Sequence, residues 1–426
     1  IKFTMLGKAQ YLSGGTINAQ LSELSSNLKI IDCTFTGCKT FNQGGALRLQ
    51  ISNGAETILE DVQFNQCEAD SGGGALWCSI NKDANLTLSG SCLFTDCKSN
   101  ASGGGCYFST IGSKYQINLL GNIQFEGCVS KRQGGGLHID SSNDGQITIN
   151  AMKFSNCNST SNSGGGQCLQ ANGSGIVINI TGKVSFDNCF SVNSHGGGQY
   201  LCVNGSGIII NITGQLEYKQ CSANTGGGLY VDVQNNVTID INKASFIDCY
   251  CIYYGGGGLH VQITSGKFSI SGTASFLNCN SSLFGGGIYL NVDNGTVNFN
   301  PTEQILIENC NGLQNGGGIF SSITNKGLGS LNNMKFNKCN SKGSGGGIYA
   351  NIESGGQLTL DKQCIFYQCQ SYKNGGGIYV RINFTAQCSF IIKDVFIHKC
   401  KALNNELLQF RNEAVPEIEN FPEVIQ

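Results

Sequence analysis

A triplet of glycines returns along this chain every 29 to 32 residues, each time after a Phe-x-x-Cys unit and just before a short apolar run. It stands at Gly72–Gly74, Gly103–Gly105, Gly134–Gly136, Gly164–Gly166, Gly196–Gly198 and Gly226–Gly228, and again at Gly256–Gly258, Gly285–Gly287, Gly316–Gly318, Gly345–Gly347 and Gly375–Gly377. A period this regular means that one supersecondary unit is being stacked, so fold and function are argued per repeat before any single residue is weighed. The Phe-x-x-Cys partner keeps the same beat. It runs from Phe35/Cys38 through Phe94/Cys97, Tyr218/Cys221 and Ile307/Cys310 to Ile397/Cys400, giving thirteen cysteines spaced 28 to 32 apart.

Within one period the pattern is strand-like. Apolar residues alternate after the glycines, as in Ile288, Leu290 and Val292, and a second alternating run such as Ile176–Ile180 follows an Asn/Ser/Gly turn. The Phe-x-x-Cys-x-Ser segment is the expected third strand. Helical caps and 3.6-residue periodicity are missing. Propeller blades need more residues per repeat, and the leucine-rich consensus is absent. The expected fold is therefore all-β, a single-stranded right-handed parallel β-helix (solenoid) of about 12–13 rungs with ~30 residues per rung. At ~4.8 Å per rung this is a rod of about 60 Å. The expected organisation is one solenoid over 1–400, with 1–32 as an incomplete first rung, and a C-terminal cap or assembly tail over 401–426. In that tail Leu403–Ala414 reads as a short charged helix and Val415–Gln426 as an extended segment.

Glycine in regular structure costs roughly 0.5–1 kcal/mol relative to alanine. A corner that demands positive φ, or a close backbone approach, would offset that cost at every rung. Anion-binding nests are a poorer reading because they serve single sites, and no Asp recurs after the glycines as calcium-binding nonapeptides require. The Phe column reads as core and the thirteen-cysteine column as a mostly reduced, buried ladder. Rung-to-rung disulfides are the alternative, and thirteen ligands spread along a rod make no four-ligand metal cage. Nine further cysteines are irregular; Cys168 and Cys202, at even offsets after neighbouring glycine triplets, form the candidate disulfide.

By alternation, a column just past the glycines faces away from the core: Trp77, Tyr107, His138, Tyr200, Tyr230, His260, Tyr289, Phe320, Tyr349 and Tyr379. It is a candidate binding surface for sugar or another subunit. Alternatively, the rings stack from rung to rung and shield the sheet.

Charged residues make up only 13% and the net charge is -2, which leaves no basic field for nucleic acid. The longest apolar stretches are too short to span a bilayer as a helix, so membrane insertion is not expected. The even total of 22 cysteines favours an extracellular or cell-surface setting. So do the sequons at Asn85, Asn100, Asn158, Asn172, Asn179, Asn204, Asn211, Asn236, Asn280, Asn294 and Asn383, the candidate glycosylation sites.

Phe64-Asn65-Gln66-Cys67 followed by Gly73-Gly74-Ala75-Leu76, and the later pairing of Phe-x-x-Cys with Gly-Gly-Gly-Ile-Tyr, resemble the Phe-x-x-Asn and Gly-Gly-Ala-Ile/Leu/Val repeats of chlamydial polymorphic membrane proteins. The likeness covers residues 11–400, with Cys in place of Asn and no outer-membrane barrel following. It implies adhesion or surface-coat roles and supplies no catalytic site. The four histidines, His138, His195, His260 and His398, are spread along the chain, and no repeat-breaking acid pair stands out. The leading expectation is a non-enzymatic extracellular rod or filament without cofactors, whose partner is another copy of itself and whose ligands could be glycans. A polysaccharide lyase or hydrolase, or a glycan-binding module on the aromatic column, is the alternative.

Overall fold

Each turn of the chain lays one strand directly above the equivalent strand of the turn before, and every strand pairing is parallel. The computed structural model describes residues 15–24, 26–383, 387–403 and 410–411. Among these residues there is no helix, and the strands form three sheets of 14, 21 and 13 strands. The thirteen members of the shortest sheet count the turns of a parallel β-solenoid with about 30 residues per turn, the fold read from the repeat.

The first sheet holds the strand after each glycine corner, such as Leu137–Ser142 or Ile288–Asp293. The second sheet takes two segments per turn. They are separate in Thr296–Phe299 and Ile305–Glu308, and continuous in Tyr115–Glu126 and Gly266–Leu277. The third contains only short segments after the cysteines, such as Asn280–Ser281. This amends the expected third strand. The Phe of Phe-x-x-Cys ends the second sheet and the residues beyond Cys begin the third.

The bend between them is made by the residue before Cys, which lies in the left-handed region at every turn. Gln66 (φ 52), Asp96 (52), Asn156 (55), Gln220 (51), Asn278 (54) and Lys338 (52) are examples, with glycine at Gly37 and Gly127. Asn and Asp tolerate this region because their short side chains bond locally, whereas Gln and Lys are strained there. The column of x residues thus conceals a corner as strict as the glycine one.

Inside, the Phe column is a ladder of parallel rings. Phe64–Phe94, Phe94–Phe125 and Phe125–Phe154 have centroids 4.7, 4.7 and 4.9 Å apart, with interplanar angles of 10°, 11° and 4°. The spacing is the strand spacing itself, so in-register stacking and backbone pairing reinforce each other. The thirteen-cysteine column lies beside it, buried and without disulfides. Its thiols reach backbone carbonyls of the turn before: Cys128 Sγ–H reaches the Phe94 carbonyl at 3.3 Å, and Cys339 that of Ile307 at 3.3 Å. A small, buried, weak donor is what this place asks for, and free Cys supplies it.

The three glycines of a corner answer three different demands, as Gly134–Gly136 shows. Gly134 has φ +63, and a Cβ there would lie 2.3 Å from the Leu137 carbonyl oxygen. A Cβ on Gly135 would meet the Gly165 carbonyl oxygen of the next turn at 2.1 Å, and one on Gly136 would meet the Phe154 ring at 2.7 Å. Register also corrects the alignment of the early turns. Leu76 pairs with Cys106 and Trp77 with Tyr107, so the corner there is Gly73-Gly74-Ala75, with Gly72 just outside it. One turn earlier, Leu47 pairs with Leu76, making Gly44-Gly45-Ala46 a corner too.

Ile17–Leu21 pairs with Leu47–Ile51, so the expected incomplete first rung carries a full strand of the first sheet; residues 1–14 lie outside the described residues. The expected helix over Leu403–Ala414 is overturned where it is described: Leu403 is in a turn, and Phe410–Arg411 is a strand pairing with Val380 and Arg381. Residues 404–409 and 412–426, including the rest of the expected tail, lie outside the described residues.

Candidate functional site: the aromatic column and its cover

The aromatic column lies on the outer side of the first sheet, one position past the first buried aliphatic of each strand. The register makes it a single file: Asn18, Arg48, Trp77, Tyr107, His138, Cys168, Tyr200, Tyr230, His260, Tyr289, Phe320, Tyr349 and Tyr379. All ten residues expected in the column are therefore brought together. Arg48, whose guanidinium lies 5.1 Å from the Trp77 ring, and Cys168 also belong to it, although their residue types gave no aromatic signal.

The rings stack along the rod axis. Tyr107–His138, Tyr230–His260, His260–Tyr289 and Phe320–Tyr349 are 4.7, 4.6, 4.4 and 5.1 Å apart, with interplanar angles of 7°, 12°, 10° and 5°. The stack is also covered. Loops leading into the glycine corners lie over it: His195 sits 4.5 Å from the Tyr230 ring and Phe284 4.7 Å from Phe320. A Cβ on Gly255 would run into the Tyr289 ring at 2.4 Å. His138, His260, Phe320, Tyr379 and Trp77 are buried and the tyrosines between them half-buried. Of the two sequence expectations, the geometry gives the stacked and shielded ladder. A sugar ring finds no open aromatic face along most of it.

Burial sets the protonation of this column. It pushes the His138 imidazole down to about 4 and that of His260 to about 3, so both are neutral at ordinary pH. The partners then fix the tautomers. His138 donates from Nε2 to Gln170 Oε1 (3.0 Å), and His260 donates from Nδ1 to the Gly255 carbonyl (3.3 Å). Burial also raises the phenols of Tyr107, Tyr200, Tyr230, Tyr289 and Tyr349, and the Cys168 thiol. Neutral, desolvated rings suit packing; acid–base work would need a group poised near the working pH.

Cys168 and Cys202 are both free. Cys168 lies opposite Tyr200 and Cys202 opposite Gln170, so the two are diagonal neighbours. One strand spacing combined with two residues of strand rise separates their Cα atoms by about 8 Å, beyond the ~6.8 Å limit for a disulfide. Even offsets placed them on one face, but offsets of two and four put them at different heights on it. None of the 22 cysteines forms a disulfide, so their even number does not count bonds in this structure.

The sequons divide by place. Asn172, Asn204, Asn236 and Asn294 stand at or beside the turn that ends the first-sheet strand, with Asn236 and Asn294 exposed, as are Asn100, Asn211 and Asn383. Asn85, Asn158, Asn179 and Asn280 are half-buried, and several join amide ladders: Asn118 donates to Asn85 (2.9 Å) and Asn211 to Asn179 (3.1 Å). Among the described residues no group of three His, Cys, Asp or Glu side chains is arranged to hold a metal ion.

Sequence reasoning passed over one buried polar chain. Tyr218 replaces Phe in the core ladder, and its Oη donates to Gln199 Oε1 (2.5 Å), whose Nε2 donates to Gln167 Oε1 (2.8 Å). The signal was present, because Gln167 and Gln199 stand where Leu137 and Leu229 stand one turn away.

The chain thus defines a class, the parallel β-solenoids with a glycine corner, an inner ring ladder and an outer, covered one. No protein-family model matches it, and neither does any curated protein or solved structure.

Proposed function

We propose that the chain is a non-enzymatic structural rod of a surface coat or filament, lengthened by stacking the last turn of one copy on the first turn of another. The observation that carries this reading is the exposure of two apolar residues in Val395–His398, the last described strand of the second sheet. Ile397 occupies the ring-ladder column, where Phe64, Phe94, Phe336 and Phe366 are fully buried, yet it is 41% exposed, and its neighbour Phe396 is 58% exposed. At the other end Ile17, Leu21 and Leu28 are only partly buried, whereas Leu47 and Ile51 one turn on are buried. A solenoid turn is completed by the next turn, and an uncovered one is a template for pairing. A first-to-last contact is heterologous and does not close, which gives a fibre.

Cations gather late in the chain: residues 324–403 carry ten Lys/Arg against three Asp/Glu, whereas residues 1–323 carry 15 against 20 and residues 404–426 one against five, giving the overall -2. Charge does not drive the end-to-end contact, since residues 1–48 carry five Lys/Arg against two Asp/Glu; apolar exposure is what supports it. The exposed sequons favour an extracellular setting; secretion from a eukaryotic host, followed by a mobility shift on enzymatic deglycosylation, tests that part.

Sedimentation velocity over a hundredfold range of concentration, with electron micrographs of the same samples, tests the rod. Growing rods of constant width are expected, and Phe396→Asp with Ile397→Asp should hold the chain as monomers. A wild-type chain that stays monomeric at the highest concentration would rule out end-to-end stacking.

A further inference from the structure

The last four turns differ from the others on one side. Where the third sheet meets the second, the solvent face carries a shallow groove with Lys338, Lys399 and Lys401 on it. All three are exposed, and neither ion pair found among the described residues involves them. Earlier turns carry acids at or next to the same places: Asp96 and Asp248 at the bend, and Glu126, Asp187 and Glu308 one residue before it. Among the described residues the equivalent places from Lys335 onward hold Asn337 and Lys338, Tyr367 and Gln368, and His398 and Lys399, with no acid. The groove is therefore a local positive field that the overall charge conceals.

Between the lysines the groove floor is amide. Asn309 and Asn311 donate to Asn278 and Asn280 one turn back (3.3 and 2.8 Å), and Asn340 donates to the Lys338 carbonyl (3.2 Å), which holds the ladder in place. Gln368 and Gln370 continue it. Aromatic edges flank the floor. On one side the rings of Tyr367 and His398 stack 5.6 Å apart at 12°. On the other, Tyr372, 57% exposed, shares an outward face with Gln370 because Ser371 between them is buried.

From this arrangement we infer that the groove binds an acidic polysaccharide, a chain of hydroxyl-rich sugars with widely spaced carboxylates or sulfates. Amides offer a donor and an acceptor together, as sugar hydroxyls require, and they outnumber the cations. Lys338 and Lys399 are two turns apart, about 10 Å along the axis, which suits sparse charge. Duplex nucleic acid carries a phosphate every 3.4 Å per strand, far denser than this. Tyr367 and His398 also cover each other's faces, so they offer edges to a sugar and little platform for a base. The groove opens on the side of the rod and adjoins the end-to-end contact, since Lys399 and Lys401 follow Phe396 and Ile397 in the same turn.

The test is binding of the full chain to polygalacturonate and to dextran sulfate, with neutral dextran as control, by calorimetry at 50 and 200 mM salt. Binding to the acidic polymers alone is expected, weakening on the order of tenfold across that salt range for two to three released counterions. Combined Lys338→Gln, Lys399→Gln and Lys401→Gln should weaken it at least tenfold, while Lys153→Gln with Lys267→Gln should leave it unchanged. Lysine acetylation of the wild-type protein, read by mass spectrometry, should show protection of Lys338, Lys399 and Lys401 by polygalacturonate and none at Lys153. Equal binding of neutral dextran, equally tight binding of duplex DNA, or protection spread over all lysines would overturn the assignment.

Discussion

The buried chain Tyr218–Gln199–Gln167 lets the cost of a polar core be separated from the cost of disturbing the fold. The neighbouring turns carry Phe186 and Phe246 where Tyr218 stands, and Leu137 and Leu229 where the glutamines stand, so the apolar alternative is already present one turn away. Tyr218→Phe leaves Gln199 Oε1 without its donor in a dry core, costing about 1–3 kcal/mol. Gln199→Leu strands both the Tyr218 hydroxyl and Gln167 Oε1; two such penalties, partly offset by the added apolar burial, come to about 2–4 kcal/mol. The triple change Gln167→Leu, Gln199→Leu and Tyr218→Phe strands nothing. It also removes Gln167 Nε2, which is buried without a partner in the native chain. Its stability should return to within about 1 kcal/mol of wild type or exceed it. Amide hydrogen exchange is the suitable assay, because solenoid turns interact mainly with their neighbours and a single global midpoint would blur a local effect. Protection of strands Gln199–Ser206 and Ile209–Lys219 should fall in the singles and recover in the triple, while Ile348–Ile352 stays unchanged. A neutral Tyr218→Phe, or a triple variant less stable than Gln199→Leu, would refute the reasoning.

Three other outcomes follow from the same geometry. At the glycine corner the loss of thermal stability should rank Gly135→Ala above Gly136→Ala above Gly377→Ala. The added methyl meets fixed backbone at 2.1 Å in the first case, a ring at 2.7 Å in the second and a methyl at 3.2 Å in the third; the first should exceed about 3 kcal/mol. At the second corner Gln66→Asn, at φ 52, should raise stability by about 0.5–1 kcal/mol in denaturant melts, since Asn accepts the left-handed region and Gln does not. The buried histidines make stability depend on acid. Their folded values, about 4 for His138 and about 3 for His260, lie below the unfolded value near 6.5, so the unfolded chain takes up protons first. Stability should be full above pH 6.5 and decline as pH falls from there towards 4 and 3, by about 3 kcal/mol for His138. His260→Phe, which copies Phe320 in the same column, should remove its share of that decline in melts between pH 7 and 4.

The corner at the residue before Cys is not legible as a repeated letter, although every turn has it. Glycine at the first corner is legible because steric demands leave no other residue at its first two positions and only a small one at the third, where Ala46 and Ala75 stand in the early turns. At the second corner only φ is constrained, and Asn, Asp, Gln, Lys and Gly all meet it at different cost, so no single letter repeats. The same difference explains the aromatic column. Alternation placed Tyr289 and Tyr349 on the outer side of the first sheet correctly. That His195, Phe284 and the approach to Gly255 fold over such rings depends on loops that follow no period.

The sequence by itself determined the period, the parallel stacking, the inner Phe and Cys columns and the membership of nearly all of the outer one, because in-register stacking writes like residues at fixed intervals. Only the tertiary structure decided what those columns meet. It set Cys168 and Cys202 at different heights, covered the outer rings, joined Tyr218 to two glutamines, left Ile397 exposed and gathered Lys338, Lys399 and Lys401 along one groove. Each of these depends on distances between turns some thirty or more residues apart, or on aperiodic loops, and a one-dimensional period carries neither.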